Sequence, residues 1–252
     1  CIDADTVRQI GTVMGRNHAR SHSSLNNATL TKQYMHLFNK QEVYEEYNEK
    51  WLGVEIGHAI QRELLLEIVE EEEDVGMIKE AIEGLRSMML EKKESLVHAN
   101  LNCGNIMVST GEIDASSGRD SILKVVDFEK FSYGPTGIDL GVYLCNHYWY
   151  YAAHTSGSSR RNLKSATKSV LDAYKSAFYV QANNALRQKD LKDVSVDQVF
   201  NVILRDAIGF AGLFTFMHGC AIHGSEMLPL GGFREFNFGD REGWKRAVRK
   251  RQ

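Results

Sequence analysis

The stretch Leu96-Val97-His98-Ala99-Asn100-Leu101-Asn102-Cys103-Gly104-Asn105-Ile106-Met107-Val108 is followed, about twenty residues on, by Val125-Val126-Asp127-Phe128-Glu129. These two blocks gather the residue types that phosphate chemistry needs. Phosphoryl transfer from ATP requires a group that orients or deprotonates the acceptor hydroxyl, and oxygen ligands that hold Mg²⁺ against the phosphates. A loop after one strand can supply the first group together with an amide ligand. The end of a neighbouring strand can supply a carboxylate, so that both converge on one metal.

The elements that must position these residues are legible around them. Leu96-Val97, Ile106–Val108 and Ile122–Phe128 are short apolar runs, the last enriched in β-branched residues. The polar, glycine-containing stretch Ser109–Ser121 separates the second from the third. That pattern predicts a β-hairpin with a long loop. Elsewhere helical pattern dominates. Asp3–His22 carries Val7, Ile10, Val13, Met14 and His18 at spacings of three to four, and Asn26-Asn27 breaks the pattern. Helical period returns over Gln41–Gln61 and over Leu64–Leu90, where the stripe Leu65, Ile68, Val69, Ile78, Ile82, Leu85, Met89 accompanies the acidic run Glu70–Asp74. After Asp139 the helices resume at Leu140–Ala153, Ser165–Arg187 and Val194–His218, with Thr155–Arg161 reading as a surface loop.

The two blocks resemble the aminoglycoside-phosphotransferase and methylthioribose kinase superfamily. Its catalytic loop runs His-Gly-Asp-Leu-His-x-Gly-Asn, and its metal motif is an Asp followed two residues later by an acid. The chain continues Phe131-Ser132-Tyr133-Gly134-Pro135-Thr136-Gly137-Ile138-Asp139-Leu140-Gly141, similar to the Phe-x-Tyr-Gly-Pro-x-Gly-x-Asp-x-Gly signature of methylthioribose kinases. Weaker similarity extends to Gly15–His22 and Gly209–Gly212. The resemblance implies a mostly helical α+β fold, the C-terminal lobe of a protein-kinase-like architecture, with a helical segment over 1–94, the catalytic and metal loops on a hairpin over 95–141, and a helical subdomain over 142–252. It implies Asn105 and Asp127 as ligands of Mg²⁺ and of ATP through it, Glu129 as a second acid able to share a metal, and structural roles for His98 and Asp139.

The departures from that pattern carry as much weight. The position of the catalytic base is Asn100, and a carboxamide cannot take a hydroxyl proton as a carboxylate does. Ala99 stands where the family has Gly, and Asn102 where it has His. The segment Phe214–His218 lacks the Arg pair that the family uses on its sugar substrate. No glycine-rich phosphate loop or strand lysine of an N-terminal lobe is found, and helical pattern begins almost at Cys1, so that lobe is expected to be absent or to lie upstream. Together these features predict a pseudokinase acting as a binding or scaffold module. The rivals are an active small-molecule kinase phosphorylating methylthioribose or a similar sugar hydroxyl, and a sensor that binds Mg·ATP without turnover.

Composition bounds the alternatives. A net charge of -3 gives no electrostatic case for nucleic acid. Cys1, Cys103, Cys145 and Cys220 lie far apart with no CxxC pair, which favours reduced thiols in a cytoplasmic setting over a disulfide framework or zinc site. No apolar run reaches the ~20 residues of a membrane span. His18 and His22, and likewise His218 and His223, have metal-compatible neighbours in sequence but no third ligand, so they read as packing or surface histidines. Tyr143, Tyr148, Trp149, Tyr150 and Tyr151 read as core and groove lining rather than a cofactor box; the alternative for part of the stripe is an exposed docking surface where the missing lobe or a protein partner would sit. The basic tail Trp244–Arg251 is a solvated helix end that could also grip an acidic partner.

Overall fold

In the computed structural model the described residues are 4–40, 42, 44–45, 72–108, 123–153, 157–189 and 194–224. They form α1 (Ala4–Ser21), α2 (Ala28–Phe38), α3 (Glu72–Glu91), β1 (Ser95–Val97), β2 (Ile106–Val108), β3 (Leu123–Val125), β4 (Ser132–Gly134), α4 (Gly137–Ala153), α5 (Gly157–Lys189) and α6 (Val196–Gly224). Apart from residues 42, 44 and 45, the expected helix over Gln41–Gln61 lies outside the described residues, as do Glu70 and Glu71 of the acidic run, whose remainder opens α3.

The apolar stripe of α1 buries Val7, Ile10, Met14 and Ala19. Gly11 and Gly15 lie on the face where α5 approaches. A Cβ at Gly11 would stand 2.4 Å from the Val170 carbonyl oxygen, and one at Gly15 would stand 2.4 Å from that of Tyr174. The two glycines, one turn apart, let the α5 backbone into the groove of α1. Gly15→Ala is expected to cost about 2 kcal/mol, the overpacking penalty exceeding the gain in helix propensity. A urea titration measures this, and an unchanged or raised midpoint would show that the helix pair can open without cost.

The Asn26-Asn27 break is a pair of caps. Asn26 Nδ2 donates to the carbonyls of Arg20 at 2.8 Å and His22 at 3.0 Å, closing the end of α1. Asn27 Oδ1 accepts the Leu30 amide at 2.8 Å and starts α2. Several expected boundaries move, and the last helix runs Val196–Gly224 rather than ending at His218. Residues 157–161, expected as loop, form the first turn of α5, and α4 begins at Gly137, so Asp139 sits inside its first turn. Serines and glycines suit a helix start as well as a loop, and composition does not separate the two.

The expected hairpin forms as β2 and β3, antiparallel, with Ile106 opposite Val125 and Val108 opposite Leu123. A second antiparallel pair joins β1 to β4, with Ser95 opposite Gly134 and Val97 opposite Ser132. The 95–141 block thus holds two small sheets. Two buried clusters flank them. One gathers Val7, Ile10, Met14, Leu101, Leu140, Tyr143, Val170, Tyr174, Phe178 and Ile203. The other gathers Tyr44, Met89, Val97, Ala99, Ile138, Val142, Trp149 and Phe210. Ala99 belongs to one and Leu101 to the other, so the loop after β1 is pinned on both sides.

Candidate functional site

The loop leaves β1 at His98. Its Nε2 lies 2.8 Å from the Val126 carbonyl oxygen, and its Nδ1 lies 3.3 Å from the Asn100 amide nitrogen. A carbonyl only accepts and an amide N–H only donates, so the proton sits on Nε2. His98 therefore ties the first loop to the strand that leads into Asp127. Ala99 follows with φ 61°, a left-handed conformation that a residue bearing a Cβ seldom adopts. What holds it there is Asp139. Oδ2 of Asp139 accepts the His98 amide at 2.9 Å, and Oδ1 accepts the Ala99 amide at 2.8 Å.

Asp139 is itself held by a residue that sequence reasoning did not connect to it. His18 Nε2 lies 3.2 Å from Asp139 Oδ2, and His18 Nδ1 lies 2.9 Å from the Tyr174 hydroxyl. With the carboxylate as acceptor, Nε2 donates and Nδ1 receives the Tyr174 proton. The result is a buried line, Tyr174 to His18 to Asp139 to the loop amides, joining α5, α1 and α4 beneath the site. The i, i+4 partner His22 takes no part; its Nδ1 accepts the Ser24 amide at 3.2 Å. His18 in α1 and His22 just past its end look equivalent in sequence but face different partners.

The second loop turns sharply at Asp127, whose φ of 66° is also left-handed. The ring of Phe128 packs on His98 at 4.9 Å between centroids and on Phe131 at 5.8 Å, and Phe131 meets Phe38 of α2 at 5.4 Å. This turn presents the Asp127 carboxylate to solvent beside the first loop. Asn105 Nδ2 donates to Asp127 Oδ2 at 3.1 Å and to the Asn100 carbonyl at 2.9 Å. Asn100 Nδ2 also lies 3.3 Å from Asp127 Oδ2. Asn102 Oδ1 accepts the Gly104 amide at 2.8 Å, and Asn102 Nδ2 donates to Asn100 Oδ1 at 3.0 Å.

Of the residues expected in the site, Asn100, Asn105 and Asp127 are brought together, and His98 and Asp139 support them. Glu129 has an exposed side chain one short turn beyond Asp127, and its carbonyl accepts from Lys40 Nζ at 3.1 Å. Among the described residues no cluster of three or more His, Cys, Asp or Glu could hold a metal ion. Cys103, tucked under the loop, has its thiol pushed by burial up to about 11, which makes it a packing residue at neutral pH. The segment expected to lack the substrate arginines is apolar helix. Phe214 is buried, and Thr215 Oγ1 donates to the Ala211 carbonyl at 2.7 Å. Tyr143 and Trp149 are buried while Tyr148 and Tyr150 are about half exposed. The side chains of Tyr151, His218 and His223 and the basic tail lie outside the described residues. No described helix is long and apolar enough to cross a membrane.

Comparison with known proteins follows the same lines. A family model described as choline/ethanolamine kinase matches residues 2–226. Among individual proteins, the methylthioribose kinase of Pectobacterium carotovorum is 26% identical over 147 residues, covering 55% of this chain and 34% of its own length. That of Bacillus pumilus is 26% identical over 129 residues, 51% and 30% respectively. That of Yersinia pestis is 27% identical over 157 residues, 59% and 36%. The matched regions span about a third of these relatives.

Proposed function

Because this chain belongs to the choline/ethanolamine kinase family, a kinase-like family with methylthioribose kinases among its distant relatives, we propose that it is a pseudokinase lobe. In this reading residues 1–252 correspond to the C-terminal lobe of the kinase-like fold and serve as a binding or scaffold module. The observation that carries the reading is Asn100. Its side chain stands where such kinases place the proton acceptor, and its Nδ2 is turned to Asp127 while its Oδ1 is taken by Asn102. A neutral amide accepts no proton from an attacking alcohol. Losing a general base costs on the order of 10²–10⁴ in rate.

If nucleotide binding is retained, ATP arriving with its own Mg²⁺ would meet Asn105 and Asp127; otherwise the lobe takes no cofactor. The half-exposed aromatic residues Tyr148 and Tyr150 are the surface offered to a protein partner, and the basic sequence Trp244–Arg251 supplies charge for an acidic one. Purified full-length protein incubated with Mg·ATP and, separately, methylthioribose, choline and ethanolamine is expected to transfer no phosphate above the uncatalysed background. Turnover at an ordinary enzymatic rate would favour the second reading, an active kinase. That reading draws on the convergence of Asn105 and Asp127, since phosphoryl transfer depends largely on positioning and electrostatics.

A further inference from the structure

The orientation of the three loop amides follows from their fixed neighbours. The Gly104 N–H can only donate, so Asn102 turns Oδ1 to it and Nδ2 away. Nδ2 then meets Asn100 Oδ1, which leaves Asn100 Nδ2 facing the Asp127 carboxylate. Asn105 is fixed independently, because both groups that its Nδ2 touches, the Asn100 carbonyl and Asp127 Oδ2, are acceptors. Asp127 Oδ2 is therefore the end point of two amide N–H groups. A divalent cation at this oxygen needs its lone pairs and, in sites of this kind, further carboxylate charge. Here the groups crowding the oxygen carry partial positive charge, and the one additional acid nearby in sequence, Glu129, has an exposed side chain on the next turn. The donor set does not fit a resident Mg²⁺.

We propose that the free site takes no divalent cation of its own, and that Asn100 is the residue that decides this. The amide supplies in place what a metal would supply, a positive partner for Asp127. An aspartate at the same position would instead set two carboxylates about 3.3 Å apart, a pair that repels until a cation bridges it. The inference deepens the reading above, resting on it only for the identity of the site, and it concerns cation binding rather than turnover.

Mn²⁺ alone, without nucleotide, is the probe, titrated into the full chain and followed by the electron paramagnetic resonance signal of the free ion. The wild-type protein is expected to show no saturable binding tighter than about 1 mM. Asn100→Asp is expected to tighten binding about tenfold or more, and adding Asp127→Asn to that variant to abolish the gain. Asn100→Ala removes one competing donor without adding charge and is expected to tighten binding about two- to fivefold, which keeps the test open if the aspartate variant does not fold. Wild-type binding at micromolar Mn²⁺ that Asp127→Asn removes would overturn the inference. So would an unchanged affinity in a folded Asn100→Asp or Asn100→Ala protein, or a gain that survives loss of Asp127. Phosphoryl transfer by the wild type would defeat the pseudokinase reading and leave these titrations to be judged separately.

Discussion

Asp139→Ala is expected to lower stability by about 4 kcal/mol, and Asp139→Asn by about half as much. The Asp139 carboxylate is buried and accepts three N–H groups, two from the loop backbone and one from His18. Alanine leaves all three donors without this acceptor in a place where water does not reach, at about 1–3 kcal/mol each before relaxation. It also frees Ala99 from its left-handed conformation, which returns part of the backbone strain, about 1 kcal/mol. The amide of asparagine keeps one oxygen for one of the loop amides and turns an N–H against another, so the loss is partial. Urea unfolding at neutral pH measures both. An alanine variant within 1 kcal/mol of wild type would mean that the loop holds its shape without Asp139.

The same residues mark what could be read from the sequence and what could not. The loop and strand bearing Asn105 and Asp127 were legible because their signals are local: short apolar runs, a polar interval, and chemical residues at the strand ends. The pairing of β1 with β4 was not, since Ser95 and Gly134 are brought together only by the chain between them folding back. His18 is the sharper case. Its partners Tyr174 and Asp139 are 156 and 121 positions away, and nothing in the local sequence distinguishes it from His22, four residues on. The ion pair between Lys92 and Asp206 was equally hidden. Burial alone would lower the Lys92 pKa, but hydrogen bonds to Asp206 at 2.5 Å and to Glu94 hold it above its ordinary value. Periodicity finds the faces of helices; it does not say which helix a polar residue will meet.

Acid should unfold this protein through two histidines that lie apart from the candidate site. Burial lowers the pKa of His22 to about 4, with Glu94 opposing and His18 and Lys92 adding to the effect, and burial lowers His147 to about 4 as well. Both are held neutral by the fold. Ser24 donates its amide to His22 Nδ1, a contact that protonation of that nitrogen ends. The Thr167 hydroxyl is committed as donor to the Leu163 carbonyl, so it accepts from His147 Nδ1–H at 2.8 Å. Because the unfolded chain binds these protons near pH 6.5 and the folded chain does not, stability is fully present above that pH and declines as pH falls toward 4. Each histidine accounts for about 3 kcal/mol by pH 4, or about 6 kcal/mol together, a large share of a typical folding free energy. Urea midpoints taken at intervals from pH 7.5 to 4.5 should therefore fall steeply below pH 6.5 in the wild type. In His147→Gln the slope should be about half as steep, because one of the two titrating groups has gone. A slope that neither His22→Gln nor His147→Gln alters would place the acid lability in the carboxylates instead.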